Sequence, residues 1–380
     1  MKIFLMRKQL AHAYQDIISV QNLLLAWREF LKGKRKKIDV QVFNYFLLDE
    51  IFDLHQNLRD KTYKHGTYHA FNISDPKPRN IHKATVRDRL LHHAIYRILY
   101  PFFHQVFIAD SYSCRIGKGT HKALKRFKEF SYIVSKNNTK TCWVLKCDIR
   151  KFFASIDQSV LMSVLTSYIP DEDILWLLRN VVGSFHTQKG KGLPLGNLTS
   201  QLLVNVYMNE FDQFMKYTLK AKYYIRYADD FVVFSNDKKQ LETIVPVIEE
   251  FLWDKLRLRL HPDKISIKTL ESGVDFLGWV HFPQHRILRT TTKRRMFKNI
   301  KEKEGKAETV QSYLGLLSHG NTWKLQNEIK KMMKATKMFF KHILLGCALF
   351  SCYNVQNEVL NRSVEEVFAG HRSCFYNRHR

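Results

Sequence analysis

Two adjacent carboxylates, Asp229 and Asp230, lie between Tyr223–Tyr227 and Phe231–Phe234, two runs of β-branched and aromatic residues. Such runs predict a β-hairpin with the aspartates at its tip. Carboxylates this close in so apolar a setting repel each other unless a cation lies between them, and a divalent metal is the natural reason. The alternative is an ordinary hairpin with a solvated Asp-Asp turn. A third carboxylate, Asp148, ends the apolar run from Cys142, which reads as a buried strand; a carboxylate emerging there needs a partner. If that strand pairs beside the hairpin, Asp148, Asp229 and Asp230 converge and can hold two magnesium ions roughly 3.5 to 4 Å apart. That arrangement suits in-line nucleotidyl transfer, with one metal activating a 3′-hydroxyl and the other holding the triphosphate and leaving pyrophosphate. Asp157 has a simpler reading: with Ser155 it is placed to cap the helix containing Val160, Leu161, Val164 and Leu165.

Composition limits what such a site acts on. The chain has 380 residues, enough for two or three packed units, and 62 Lys plus Arg against 35 Asp plus Glu give a formal charge of +27. At 45% hydrophobic content this describes a folded protein whose surface meets a polyanion. No apolar run is long enough to span a membrane, and the first residues are too short for a signal peptide, so the expected location is cytoplasmic. Six cysteines occur without a C-x-x-C pair, as expected of reduced thiols; Cys347, Cys352 and Cys374 near His371 and His379 are a weaker metal-binding alternative.

Several elements are needed to position the aspartates. Residues 14 to 63 show helical three- and four-residue steps, interrupted by Lys32–Lys37, a basic loop that is either solvated or in contact with phosphates. A basic hairpin follows, with strands over 68–73 and 79–83 about an Asp75-Pro76-Lys77-Pro78 turn, and then an amphipathic helix from Val86. The Gly117-Lys118-Gly119 loop lacks P-loop spacing. In Gly192-Leu193-Pro194-Leu195-Gly196-Asn197-Leu198-Thr199-Ser200-Gln201 the glycines allow close backbone approach, and Thr199 or Ser200 is placed to start a helix under the sheet.

The order Asp148, Leu-Gly-Asn-Leu-Thr-Ser-Gln, Tyr-Ala-Asp-Asp, then Val274–Trp279, resembles the palm of reverse transcriptases over roughly residues 70 to 330. The resemblance implies an α+β right-hand polymerase. Its expected parts are an N-terminal helical extension (1–66), fingers (67–140), a palm of antiparallel sheet and helices (141–285), a helical basic thumb (286–342) and a tail of unassigned role (343–380). It further implies that Lys77 and Arg79 grip the incoming triphosphate, and that Arg87 and Arg115 are weaker candidates for template or nucleotide contact. Phe153, five residues after the first aspartate, matches an aromatic gate against a 2′-hydroxyl. Lys264 matches a lysine suited to protonating pyrophosphate, although an exposed lysine after a turn reads equally well. Phe276, Leu277, Gly278 and Trp279 match a primer grip or are simply strand packing. Lys293, Arg294 and Arg295 lie in the basic thumb, which would follow a duplex by its phosphates.

One departure narrows the family. Leu195 stands where many reverse transcriptases have a glutamine, and with Gly196 through Gln201 and the Ser312–Trp323 segment it resembles the enzymes of diversity-generating retroelements. In that family a small basic accessory protein assists copying of a template RNA into cDNA, with errors concentrated at adenines. Template RNA, the cDNA or primer duplex, deoxynucleoside triphosphates and Mg2+ are then the implied partners, in a bacterial, archaeal or phage-encoded system. The alternatives are a retron, phage-defence or group II-like reverse transcriptase, and a non-catalytic RNA-binding scaffold. The chain leaves no room for a maturase extension with an endonuclease, and no ribonuclease H or nuclease domain is recognisable. The scaffold reading predicts loss of at least one metal carboxylate, and all three are present.

Overall fold

The computed structural model describes residues 8–74 and 78–332; Lys77, the C-terminal cysteines and the 343–380 tail lie outside the described residues. The chain divides after Gln284 into two units.

The first unit opens with four helices, α1 (Tyr14–Ile18), α2 (Val20–Phe30), α3 (Ile38–Tyr45) and α4 (Leu47–Arg59). The expected pair is thus broken twice more, at Ser19, whose side chain caps α2 by accepting from the Asn22 N–H, and at Phe46. Strands β1 (His69–Ile73) and β2 (Arg79–Lys83) form the anticipated antiparallel hairpin, and Thr85 caps α5 (Val86–Val106) by accepting from the Asp88 N–H. Helix α6 (Thr120–Val134) leads to β3 (Trp143–Asp148), then α7 (Phe152–Ser155), α8 (Gln158–Tyr168), α9 (Glu172–Gly183) and α10 (Leu198–Gln213). Asp157 caps α8, accepting from the N–H groups of Ser159 and Val160. Strands β4 (Tyr224–Tyr227) and β5 (Asp230–Ser235) make the aspartate hairpin; α11 (Lys238–Leu256), β6 (Ser266–Thr269), β7 (Val274–Phe276) and β8 (Trp279–His281) complete the unit.

The central sheet has the order β4-β5-β3-β6, antiparallel throughout. Both faces are covered, which explains why β5 reads Phe-Val-Val-Phe instead of alternating with polar residues. Leu145, Cys147, Phe231 and Val233 point into the main core with Leu241, Ile248, Leu252 and Leu256 of α11. On the other face Phe234 meets Phe127 of α6 edge-on, their ring centroids 4.8 Å apart.

The second unit contains β9 (Arg286–Leu288), α12 (Thr290–Glu302), α13 (Ala307–Leu317) and a helical stretch over 323–332. In α12, Thr292, Met296 and Ile300 recur every four residues and are buried. The Asn299 side-chain amide donates to Tyr313 Oη at 2.9 Å, joining α12 to α13.

Candidate active site

Strand pairing decides where the carboxylates lie. Asp148 is directly opposite Asp230 in the β3–β5 register, and the Ile149 N–H donates to the Asp229 carbonyl at 3.1 Å. Residues opposite one another on a sheet face hold their Cβ atoms ~5 Å apart, so the like charges of Asp148 and Asp230 confront each other. Ala228 turns the hairpin in the left-handed region, φ 56°, so that Asp229 and Asp230 follow at its tip. Burial pushes the Asp230 carboxyl up to about 6; Asp229 and Asp148 push it the same way, while Lys146 works against them. Asp229 is also raised, by burial and then by Asp148, with Lys264 and Arg79 opposing. Buried, mutually repelling carboxylates of this kind gain when a divalent cation arrives, so the donor chemistry fits Mg2+. Among the described residues, however, no three His, Cys, Asp or Glu side chains form a ready-made cage. The local cation is Lys264, whose ammonium donates to Asp148 Oδ1 at 2.7 Å from a turn anchored by the His261 N–H on the Asp148 carbonyl.

The β1–β2 hairpin and the glycine block are joined by hydrogen bonds. The His82 N–H donates to the Leu195 carbonyl at 3.0 Å, and the Asn197 amide donates to the His82 carbonyl at 3.0 Å. Gly196 has φ 105°, and a Cβ there would stand 2.9 Å from Ile81 Cγ2, so only glycine lets β2 come this close. Leu195 is half-buried; Gln201, also half-buried, sits in the first turn of α10, its N–H donating to the Asn197 carbonyl. The Leu193 N–H donates to the Phe153 carbonyl at 2.9 Å, tying the glycine block to the aromatic that follows Asp148.

A model of the family described as reverse transcriptase (RNA-dependent DNA polymerase) matches residues 68–281. The chain belongs to that family. Among curated relatives, protein YkfC of Escherichia coli is 27% identical over 258 residues, 58% of this chain and 66% of that protein. The group II intron-encoded protein LtrA of Lactococcus lactis is 23% identical over 306 residues, 62% of this chain and 50% of that protein. The chain thus spans between half and two thirds of the length of these two relatives. A solved telomerase of Candida tropicalis bound to a telomeric RNA fragment aligns at TM-score 0.47 and 12% identity, covering 77% of this chain and 57% of that one. No described helix is long and apolar enough to cross a membrane.

Within the family framework, several expected contacts are placed differently. Arg115 is 9% exposed and donates to the carbonyls of Ile108, Ser111 and His104, so it braces a loop. Arg87 donates to Asp53 at 2.6 Å and lies over the Tyr63 ring, fastening α5 to α4. Phe276 and Trp279 are buried, Phe276 stacked 5.4 Å from Phe127, so their side chains pack within the strands, the second of the two readings offered for this block. Only Leu277 and Gly278, both at positive φ in the two-residue turn between β7 and β8, are partly exposed at the tip. Arg79 is exposed on β2 and within electrostatic reach of Asp229. On α12, Arg294 is exposed, Lys293 lies 5.8 Å from the Phe297 ring, and Arg295 is half-buried.

Two supports escaped sequence reasoning. Arg226, 1% exposed, makes a paired contact with Asp212 (Nε–Oδ1 and Nη2–Oδ2, both 2.7 Å) and donates to the Ala228 carbonyl at 3.1 Å, fixing the turn before Asp229. An arginine in so apolar a strand was a signal that it needed a buried carboxylate. Behind the glycine block, His92 Nδ1 accepts from Thr199 Oγ1 at 3.2 Å and its Nε2 lies 3.1 Å from His65 Nε2. Burial, then the neighbouring His65, lowers His92 to about 3, so it is neutral, and the His65 Nδ1–H beside it donates to the Gly66 carbonyl.

Proposed function

We propose that the chain is an RNA-directed DNA polymerase that copies a retroelement template RNA into cDNA. The observation that carries this reading is the pairing of Asp148 with Asp230 beside Asp229, two of the three carboxylates raised by burial and mutual repulsion. When bound there, two Mg2+ ions would activate a primer 3′-hydroxyl and neutralise the triphosphate. Asp148, Asp229 and Asp230 would hold them, as the local charge chemistry favours. In this reading Lys264, on the same carboxylate, would deliver a proton to departing pyrophosphate, and Arg79 together with Lys77 would meet the triphosphate. Phe153, tied through its carbonyl to Leu193, bears on the sugar and favours deoxynucleotides. Arg294 and its basic neighbours on α12 would bind the duplex backbone in a salt-sensitive way.

Primer extension on an RNA template with Mg2+ and deoxynucleotides tests the reaction. Asp229→Ala should lower the rate on the order of 10^3-fold; extension at the wild-type rate would overturn the assignment.

The retroelement subtype rests on Leu195 and the Ser312–Trp323 segment. An aliphatic side chain there offers no hydrogen bond to the nascent pair, and a co-encoded small basic protein would assist. Sequenced cDNA should carry substitutions clustered at template adenines, and Leu195→Gln should reduce them. An error spectrum unchanged in Leu195→Gln removes Leu195 as its cause, and faithful wild-type cDNA removes the subtype. The similarity to a group II intron-encoded protein favours the second reading, a faithful polymerase of group II-like lineage, for which cDNA would be accurate in both forms.

A further inference from the structure

Beside the residues that follow Asp148 lies a cavity of about 440 Å³. Arg150, Lys151, Lys191, Arg257 and Arg259 line it together with Trp253, and no carboxylate does. None of the five cations has an ion-pair partner among the described residues. The carboxylate that Lys191 influences, Asp157, is already committed to the cap of α8. Five like charges gathered in one hollow raise its free energy unless an anion fills it.

The shape and the aromatic residue select the kind of anion. The volume is that of a small-molecule site. Arg259 lies 4.3 Å from the Trp253 ring and Arg257 6.0 Å from it, so the indole holds the guanidiniums in place. Pre-positioned guanidiniums recognise phosphate oxygens in pairs. The backbone links the hollow to the carboxylates: the Arg150 N–H donates to the Arg259 carbonyl at 2.9 Å, Ile149 bridges to Leu260, and His261 binds the Asp148 carbonyl. We propose that this hollow is a polyphosphate-binding site, distinct from the carboxylate cluster, that takes the di- or triphosphate group of a nucleotide or free pyrophosphate. Binding there does not depend on polymerisation.

The test is calorimetric titration of the full chain with tripolyphosphate, pyrophosphate and ATP in divalent-free buffer at physiological salt. Tripolyphosphate should bind at one site per chain. Arg257→Gly and Lys191→Gln should each weaken it about tenfold, the loss of one charge-assisted contact. Arg257 has φ 51°, a conformation glycine adopts freely, so the first variant keeps the fold, and unchanged melting verifies it. ATP matching tripolyphosphate while pyrophosphate binds tenfold more weakly identifies a nucleoside triphosphate as occupant; equal pyrophosphate affinity identifies the product. Absence of saturable binding, or equal affinity in both variants, overturns the site. So does an oligonucleotide whose affinity alone falls in the variants, since the hollow would then serve a strand.

Discussion

Two sets of charge, one fully buried and one partly exposed, flank the same turn and are treated in opposite ways. Behind it, Arg226 and Asp212 are almost wholly buried and matched: Asp212 also accepts from Tyr224 Oη at 2.8 Å, and Arg226 further reaches Ser111, Asn205 and the Ala228 carbonyl. In front of it, Asp148, Asp229 and Asp230 share Lys264, Lys146 and Arg79 at varying distance, and two of them are driven toward the protonated form. The fully satisfied set builds the turn, and the under-satisfied set leaves room for a cation to act. Charge that serves architecture is paired within the chain, whereas charge that serves chemistry waits for a ligand.

The largest effect should come from breaking the matched pair. Arg226→Ala leaves Asp212 buried without a cation, and should lower stability by about 3–5 kcal/mol in denaturant unfolding. Replacing both partners by apolar residues of similar size should recover much of that loss while extension stays impaired, because the Ala228 carbonyl would remain unheld. If Arg226→Ala melts like wild type, the contrast between the two sets fails.

The unmatched set should respond in the other direction. Asp230→Asn removes a carboxylate whose ionisation the folded state opposes, and should raise apo-protein stability at pH 7 by about 1–3 kcal/mol while abolishing extension. The sign follows from its raised pKa of about 6: its contribution is present below the ordinary carboxylate range and is lost as pH rises through about 6. Stability measured against pH should therefore fall through that window in wild type and fall less in Asp230→Asn. Added Mg2+ should raise the wild-type melting temperature and leave the variant nearly unchanged; equal shifts would show that the cation binds elsewhere.

The smallest effect belongs to a carboxylate outside both sets. Asp157→Ala removes the cap of α8 and should cost about 1 kcal/mol. Hydrogen bonds from Ser159 and Val160, with Lys191 nearby, outweigh burial and lower its pKa, so its contribution is lost only as pH falls below the usual carboxylate range. Thermal melts at pH 7 and at pH 3 should therefore differ less between Asp157→Ala and wild type at the lower pH.

What could be read in the chain alone were the features encoded locally. The hairpin around Asp229 and Asp230, the strand ending in Asp148, the cap at Asp157, the basic hairpin before α5 and the need for glycine at 196 all follow from neighbours within a few residues, and their order carried the family. What tertiary structure decided were the partnerships formed across long separations. Arg87, Arg115 and Phe276 have the composition of ligand contacts, yet Asp53, three backbone carbonyls and Phe127 hold them within the fold. Arg226 looked like one more strand residue until α10 brought Asp212 beneath it, and the cations at 150, 191 and 257 became a hollow only when α11 ended beside β3. Short-range propensity specifies elements, but whether a charge is spent or kept free depends on which distant element folding brings against it.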